Sequence, residues 1–383
     1  MRYYVIAGEA SGDLHASNLM KELKLGDQYA EFRAWGGDLM QAQGAVIVKH
    51  YRELAFMGFL EVIMNLRTIL KNIDFCKKDL GAYKPDALIL VDYPGFNMRI
   101  AAYAHKQGIK VFYYISPQIW AWKQGRVKKL KATVDEMYVI LPFEKDFYLR
   151  FGMDVHFVGH PLIDAVSDYH MSHLSDSSQR FVGAADQRPI IAILPGSRKQ
   201  EISKMLPIML AVSENFPNYK FVLAGAPSQP LSFYQPFLRD FPGVEIVFGK
   251  TYDLLGQAYA AVVTSGTATL ETAIFKVPQV VCYKGSWFSY LIARQLIKVK
   301  YISLVNLIMD RAVVTELIQG DYDTDSLKAE LQNLLDSKAY RANLSVDYDA
   351  LYAKLGGEGA SRLTADLMLK NLHDSLDMSA SSI

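Results

Sequence analysis

Leu194-Pro195-Gly196-Ser197-Arg198 follows the apolar run 189–193, and this stretch decides how the fold of the chain is interpreted. The apolar run predicts a buried β-strand, the glycine predicts a tight turn, and the polar residues after it predict a helix start. At such a turn several backbone N–H groups point outward, and with the helix dipole they form an anion site. The guanidinium of Arg198 suits a phosphate held in two places. We therefore predict that Gly196, Ser197 and Arg198 bind a phosphate.

A second turn of the same kind occurs farther along the chain. The strand signal 260–264 is followed by small residues and a helix signal, which together include Ser265, Gly266, Thr267, Ala268 and Glu271. Two such turns in one half of a protein predict a nucleoside diphosphate at the carboxyl ends of parallel strands. The alternative for each turn is an ordinary strand-to-helix connection that binds no ligand.

Length and composition exclude several classes of protein. A chain of 383 residues suggests two domains, and 51% hydrophobic with 21% charged residues describes a well-packed globular protein. A net charge of +1 argues against nucleic-acid binding through bulk charge, so no nucleic-acid partner is expected. Two cysteines make no disulfide framework and fit a reducing cytoplasm. No secretory signal and no run long enough to span a bilayer is present, so we expect a soluble or peripheral protein.

Strand and helix signals alternate along the chain, which is the rhythm of parallel sheets covered by helices. The predicted fold class is therefore α/β, with two Rossmann-like domains whose parallel sheets face an interdomain cleft. The expected division is a first domain 1–165, a linker 166–188, a second domain 189–345 that contains both glycine turns, and C-terminal helices 346–383 that return to the first domain.

Three acids of the first domain are candidates for a general base. Glu9 and Asp13 lie in the first strand-to-helix turn, and Asp92 follows the apolar strand signal 87–91. Burial would raise the pKa of such a carboxylate toward that of a useful base. Asp13 could instead be a helix N-cap and Asp92 could cap the turn before Pro94, whereas Glu9 has no obvious capping role.

Two tryptophans and a histidine stand next to strand ends. Trp120 and Trp122 could stack on a sugar face or cover the sheet, and core packing is expected for one of them. His160, between a glycine and a proline, is as compatible with a structural as with a catalytic role. Its spacing to other residues fits no metal motif.

Two kinds of segment suggest contact with an anionic lipid surface. The segment 53–72 has helical periodicity and a wide apolar face that includes Phe56, Met57 and Phe59. The segments 123–131 and 284–300 are basic and contain no acid, and aromatic residues accompany them. A helix buried in the domain and solvated basic faces are the alternatives.

Taken together, these motifs resemble those of the lipid-A-disaccharide synthase family, inverting hexosyltransferases of the GT-B class. The resemblance spans residues 2 to about 372 and is carried by GEASGD at 8–13, ELAFMG at 53–58, DYPGFN at 92–97, SPQIWAW at 116–122, LPFE at 141–144, GHP at 159–161, LPGSR at 194–198, SGTATLE at 265–271, YISLVN at 301–306 and ELIQ at 316–319. It implies transfer of 2,3-diacylglucosamine from UDP to the 6-hydroxyl of 2,3-diacylglucosamine 1-phosphate, which gives a β-1,6-linked disaccharide.

The resemblance also implies roles for particular residues. Asp92 would be the general base and Glu9 would lie near the reacting sugars. Arg198 and the turn 265–271 would hold the donor phosphates, while the uridine and ribose would contact Asn306, Glu316 and Gln319. No metal and no cofactor is expected. The acylated substrates place the enzyme on the cytoplasmic face of the inner membrane, and a homodimer is one alternative for an oligomeric state that the sequence leaves open.

Two other functions compete with this interpretation. Another UDP-sugar enzyme, such as a UDP-N-acetylglucosamine 2-epimerase, would use the same phosphate turns but needs no lipid-facing helix. A non-catalytic peripheral protein would bind UDP without turnover, and Asp92 and Glu9 would then be dispensable caps.

Overall fold

The computed structural model describes residues 1–54, 66–173, 186–285 and 300–380. The chain divides into two compact units. The first unit contains Met1–Asp164 and Leu355–Ile383, and the second unit contains Ala165–Lys354. Each unit is built on one parallel β-sheet covered by helices, as the alternating sequence pattern predicts.

The sheet of the first unit contains seven of the described strands in the order β3-β2-β1-β4-β5-β6-β7. These strands are β1 (Arg2–Ala7), β2 (Glu31–Gly36), β3 (Val46–His50), β4 (Ala87–Val91), β5 (Lys110–Tyr114), β6 (Glu136–Val139) and β7 (His156–Phe157). The described helices that accompany them are α1 (Ala10–Gly26), α2 (Asp38–Ala42), α3 (Leu66–Tyr83), α4 (Pro94–Lys106), α5 (Ile119–Trp122), α6 (Val127–Lys131), α7 (Pro142–Leu149) and the start of α8 (Pro161–His173), which belongs to the second unit from Ala165 onward. Single 3₁₀ turns occur at Tyr51–Glu53 and Gln124–Arg126.

Strands β1 and β4 lie at the centre of this sheet. All five residues of β4 are buried, because helices cover both faces of a parallel sheet. The two strands pair in parallel from Tyr3 opposite Ala87 to Ala7 opposite Val91. The strand order runs one way from β1 and the other way from β4, so their carboxyl ends form the topological switch point, where such sheets bind ligands.

The sheet of the second unit contains six of the described strands in the order β10-β9-β8-β11-β12-β13. These strands are β8 (Ile190–Leu194), β9 (Lys220–Gly225), β10 (Glu245–Phe248), β11 (Ala258–Thr264), β12 (Gln279–Tyr283) and β13 (Glu316–Ile318). The described helices around them are α9 (Lys199–Ser213), α10 (Leu231–Leu238), α11 (Thr251–Gln257), α12 (Thr267–Ile274), α13 (Leu304–Met309), α14 (Thr324–Asp336) and α15 (Lys338–Lys354). Here the switch point lies between β8 and β11, which pair with Val263 opposite Leu194.

The ends of the expected domains fall inside helices. The expected linker 166–188 begins within α8, and its residues 174–185 lie outside the described part of the chain. The expected boundary at 345 falls within α15, which belongs to the second unit. The last helix, α16 (Ala360–Ala380), packs against α1 in the first unit.

The segment expected to face lipid is only partly described. Phe56, Met57 and Phe59 lie outside the described residues. Residues 66–72 of the segment 53–72 form the beginning of α3. None of the helices in the described ranges combines the length and the apolar character that crossing a bilayer requires.

Candidate active site

Glu9 and Asp92 lie at the switch point of the first sheet, one after β1 and the other directly after β4. Glu9 is the N-cap residue of α1, yet its side chain makes no capping hydrogen bond. Burial, followed by the negative charge of Glu9, raises the pKa of Asp92 to about 7, although the Tyr93 N–H donates a hydrogen bond to this carboxylate. A carboxylate that takes up a proton near neutral pH suits a general base.

The backbone at Asp92 adopts a conformation that residues with a side chain rarely take. Asp92 has φ +44° and Tyr93 has φ +49°, two consecutive left-handed residues that cost about 1–3 kcal/mol each. The fully buried Asn97 donates a hydrogen bond from Nδ2 to the Asp92 carbonyl at 2.8 Å. The Tyr113 hydroxyl donates to the same oxygen at 2.6 Å. These two donors fix the backbone of Asp92 at the strand end.

Gly8 is required because the ring of Tyr93 lies against it. A Cβ atom at Gly8 would stand 2.4 Å from Cγ of Tyr93, which no side chain can tolerate. The turn after β1 and the turn after β4 are therefore in direct contact. The sequence predicted the two acids at one sheet edge, and this contact explains how Glu9 comes near enough to influence Asp92.

Asp13 has a different partner from the one expected. Glu9, not Asp13, occupies the N-cap position of α1. The buried carboxylate of Asp13 instead accepts hydrogen bonds from the N–H groups of Gly37 at 2.7 Å, Leu39 at 3.1 Å and Met40 at 3.2 Å. Asp13 thus caps α2 from a neighbouring helix, and the expectation that it caps its own helix is wrong.

The two tryptophans divide their roles as the sequence suggested. Trp120 is buried and packs edge-on against Phe143, with ring centroids 4.9 Å apart. Trp122 is 49% exposed, and Nζ of Lys123 lies 4.0 Å from the centre of its ring. The prediction that one of them belongs to the core is confirmed.

His160 is part of the frame of the first unit. The ring Nδ1 accepts a hydrogen bond from the Leu162 N–H at 3.2 Å, and the backbone N–H of His160 donates to the Leu355 carbonyl at 2.8 Å. Burial lowers the pKa of His160 to about 3, so the ring stays neutral at physiological pH. The geometry favours the structural alternative for this residue.

The two glycine turns of the second unit meet at its switch point. Gly196 has φ +99°, and a Cβ atom there would stand 3.0 Å from Cγ2 of Thr264 and 2.4 Å from Oε2 of Glu201. Ser197 and Arg198 are exposed immediately before α9 begins. The turn after β8 therefore packs against the last residue of β11, directly before the second turn.

The second turn opens with Gly266, whose φ of +141° is accessible mainly to glycine. Gly266 is the N-cap residue of α12, and Thr267 and Ala268 form the first turn of that helix. The first N–H groups of a helix have no partner four residues earlier, so the starts of α9 and α12 offer donors at this sheet edge, although the Arg198 N–H is donated to the Glu201 carboxylate. Glu271 lies one turn farther into α12, where burial raises its pKa to about 7 and the Tyr252 hydroxyl donates to it at 3.4 Å.

Asn306 and Glu316 form a frame around the segment 302–314. Both amide hydrogens of Asn306 are donated, to the Val314 carbonyl at 2.9 Å and to Glu316 at 2.8 Å, and its Oδ1 accepts two further bonds from backbone N–H groups. Glu316 also accepts from the N–H groups of Ile302 and Ser303. The Ser265 hydroxyl in turn donates to the Ile302 carbonyl at 2.9 Å, so this frame reaches the second phosphate turn.

Gln319 differs from these two residues because its amide has a free donor. It follows β13, has φ +55°, and is 8% exposed. Within the described part of the chain its buried Nε2 has no hydrogen-bond partner. A Cβ atom on Gly285, at the end of the neighbouring β12, would lie 3.2 Å from this nitrogen. Gln319 can therefore donate to a ligand at the edge where the phosphate turns lie.

The sequence model of the family described as lipid-A-disaccharide synthetase matches residues 3–370. The chain belongs to this family. It is similar to the lipid-A-disaccharide synthase of Syntrophus aciditrophicus, with 40% identity over 95% of this chain and 96% of that protein. The enzyme of the same name from Geobacter metallireducens is 38% identical over 97% of both chains.

Solved structures share the fold at much lower identity. The UDP-GlcNAc 2-epimerase from Neisseria meningitidis, bound to UDP-GlcNAc, matches with a TM-score of 0.70 at 13% identity, covering 97% of this chain and 100% of the epimerase. The glycotransferase of kitacinnamycin matches with a TM-score of 0.61 at 14% identity, covering 96% of this chain and 98% of that protein. The chain thus has the GT-B fold, and at these identities the likeness concerns the fold alone.

Two residues that contact the candidate site residues had no role assigned to them from the sequence. Asn97 stands in the motif 92–97, and the only signal in the sequence was an asparagine five residues after a candidate base. The carboxylate of Glu201 lies against Gly196 of the turn 194–198. Burial raises the pKa of Glu201, although the positive charge of Arg198 acts to lower it. An acid in the first turn of a helix is common, so sequence alone could not distinguish it from a dipole-stabilising residue.

Proposed function

We propose that the protein transfers 2,3-diacylglucosamine from UDP to the 6-hydroxyl of 2,3-diacylglucosamine 1-phosphate, forming the β-1,6-linked lipid A disaccharide and UDP. Membership of the family and the names of its relatives support this reaction. The observation that carries the proposal is Asp92, an acid with a pKa of about 7 that is clamped at the switch point of a parallel sheet.

In the proposed reaction Asp92 accepts the proton of the acceptor 6-hydroxyl. The hydroxyl oxygen then forms a bond to the anomeric carbon of the donor as the bond from that carbon to the phosphate oxygen breaks. The electron pair of the broken bond leaves with UDP, and the configuration at the anomeric carbon is inverted. Glu9 assists by keeping the pKa of Asp92 high enough for proton transfer near neutral pH.

The departing UDP needs stabilisation of the negative charge that grows on its phosphate. We assign this to Arg198 and to the N–H groups at the starts of α9 and α12, which are fixed before the reaction begins. Gly196, Ser197, Ser265 and Glu271 complete the proposed UDP site. We assign contact with the nucleoside to Gln319, and we assign a positioning role to Asn306 and Glu316 because their polar atoms are already engaged.

Both proposed substrates carry acyl chains, so the enzyme must meet them at a membrane. We propose a peripheral position on the cytoplasmic face of the inner membrane, with Phe56, Met57, Phe59 and Trp122 toward the lipid and Trp120 supporting the adjacent loop. The alternative of UDP-N-acetylglucosamine 2-epimerase activity has support only from the shared fold.

The test is a radiolabel assay with both acylated substrates in detergent, using the wild-type protein, Asp92→Asn and the exposed control Asp240→Asn. We expect disaccharide from the wild type and the control, and a kcat lower by about 10²–10⁴ in Asp92→Asn with unchanged affinity for UDP. Near-normal turnover by Asp92→Asn would remove its role as base. Conversion of UDP-N-acetylglucosamine without any disaccharide would favour the epimerase alternative.

A further inference from the structure

Glu144 is a buried acid of the first unit that the proposed reaction does not use. It lies in the first turn of α7, shortly after β6, and is 1% exposed. Its Oε2 accepts hydrogen bonds from the N–H groups of Ile140 at 3.2 Å and Leu141 at 2.9 Å, as an acid that caps its own helix does. Glutamates are almost never fully buried unless they are paired, so the other oxygen also needs a partner.

The other oxygen of Glu144 binds a residue that is distant in sequence. Oε1 accepts a hydrogen bond from the Ser116 hydroxyl at 2.9 Å, and the Tyr148 hydroxyl lies 2.9 Å from the same Ser116 oxygen. Ser116 and Tyr148 are buried as well. Burial raises the pKa of Glu144 to about 7, although the backbone and hydroxyl donors around it act to lower it. Buried polar groups that are paired in this way restrict one another, so the network fixes the position of Ser116.

Ser116 follows a strained turn at the end of β5. Ile115 has φ +61°, which is a rare conformation for a β-branched residue. Such a conformation persists only where the surrounding structure holds it. The Ile115 N–H donates to the Tyr138 carbonyl of β6 at 3.0 Å, and the next residue is held by Glu144. The end of β5 is therefore fixed by both β6 and α7.

The backbone of Asp92 is bonded to this same end of β5. Its N–H lies 3.2 Å from the carbonyl oxygens of both Tyr114 and Ile115, and its carbonyl accepts the Tyr113 hydroxyl at 2.6 Å. The candidate base thus takes its position from the turn that Ser116 closes. A displacement of that turn would move Asp92 away from the acceptor hydroxyl.

We propose that Glu144 is a positioning residue for the glycosyl transfer, and that it acts on the backbone of Asp92 through Ser116 and the strained turn at Ile115. This inference rests on the proposed function, which gives Asp92 its role as base. The alternative is that Glu144 only caps α7. In that case its loss destabilises the protein but leaves the turnover of the folded enzyme unchanged.

The test compares Ser116→Ala, Glu144→Ala and the double variant in the radiolabel assay. Ser116→Ala keeps the cap of α7 and removes only the link to the turn. Glu144→Gln is the conservative variant, because its amide can accept from the backbone N–H groups and donate to Ser116. Asp135→Asn is the matched control, since Asp135 accepts a hydrogen bond from the Val111 N–H at 2.7 Å at the opposite end of β5. Circular dichroism checks that each variant is folded at the assay temperature.

We expect kcat to fall about 10- to 100-fold in Ser116→Ala and in Glu144→Ala, with unchanged affinity for UDP. Because both residues act along one path, the double variant should lose no more than the larger single loss. Glu144→Gln should keep most of the wild-type kcat, and Asp135→Asn should match the wild type. If Glu144→Ala does not fold, Ser116→Ala alone decides.

Hydrogen exchange of the peptide 88–97 provides a readout that does not depend on turnover. Its amides should exchange faster in Ser116→Ala and Glu144→Ala than in the wild type and Asp135→Asn. Wild-type kcat in the two alanine variants, losses of kcat that multiply in the double variant, or unchanged exchange would each overturn the proposal. If the wild type forms no disaccharide, the proposed function fails, and the exchange result still decides whether Glu144 holds the turn next to Asp92.

Discussion

At the scale of single residues, the arrangement around Asp92 raises the pKa of a carboxylate at the edge of a sheet. Burial disfavours the ionised form of Asp92, and the nearby charge of Glu9 disfavours it further. The hydrogen bonds from Asn97 and Tyr113 go to the backbone carbonyl and not to the carboxylate. They fix the position of Asp92 without stabilising its charge, so both the position and the raised pKa are preserved.

The pH dependence of the reaction should report this arrangement. Asp92 must be deprotonated to accept a proton, so kcat/KM should rise with pH through the pKa of Asp92, about 7. Glu9→Gln removes the negative charge that raises this pKa, and the rising limb should move to lower pH while burial keeps it above the ordinary value. The measurement is a pH profile of kcat/KM in detergent.

The exposed Glu214→Gln provides the control for that profile, because it removes one negative charge in the second unit. Its profile should coincide with that of the wild type. A Glu9→Gln profile with an unchanged midpoint would show that Glu9 does not act on the titrating group, and the assignment of the limb to Asp92 would then fail.

At the scale of secondary-structure elements, the glycine turns depend on contacts between neighbouring strands. The turn after β8 fits against the end of β11 only because Gly196 has no side chain. Its φ of +99° is also unfavourable for other residues. The proposed anion site therefore depends on contact between the turn after β8 and the end of β11, which is why the pair of motifs is a stronger signal than either motif alone.

Replacing Gly196 by Ala should damage the UDP site more than the fold. The new Cβ would displace the Glu201 carboxylate and crowd Thr264, and the positive φ would strain the turn. We expect the affinity for UDP to fall about tenfold or more, and the free energy of unfolding to fall by about 1–3 kcal/mol. Titration calorimetry with UDP and thermal unfolding measure the two effects.

Gly243→Ala is the matched control, because no atom lies within 4 Å of its added Cβ and its φ is not in the left-handed range. It should bind UDP as the wild type does. Wild-type affinity in Gly196→Ala would mean that the turn 194–198 does not contact the diphosphate.

The elements that sequence could predict are those whose burial is uniform. β4 and β8 are continuous apolar runs, and the structure places them within one residue of the predicted runs. β2 and β13 were missed because each mixes charged and apolar residues and lies away from the centre of its sheet. For the same reason the partner of Asp13 could not be predicted, since it caps a helix that follows the missed β2.

At the scale of the whole molecule, the two compact units divide the proposed chemistry. The candidate base belongs to the first unit, and the candidate UDP site belongs to the second unit. The second unit is one continuous piece of chain, whereas the first unit needs both ends of the chain. The two units should therefore respond differently to removal of the C-terminal residues.

A chain ending at Lys354 should lose the first unit and keep the second. It lacks α16, whose residues Met368, Leu369 and Leu372 are buried, and each such side chain contributes about 1.5–3 kcal/mol. The sum is comparable to the total stability of an ordinary domain. Hydrogen exchange should show loss of protection in residues 1–164, while residues 186–285 stay protected and UDP still binds. A chain ending at Ser375 keeps these buried residues and should match the wild type. Undiminished protection of the first strands in the shorter chain would show that α16 is an addition to the first unit and not part of its core.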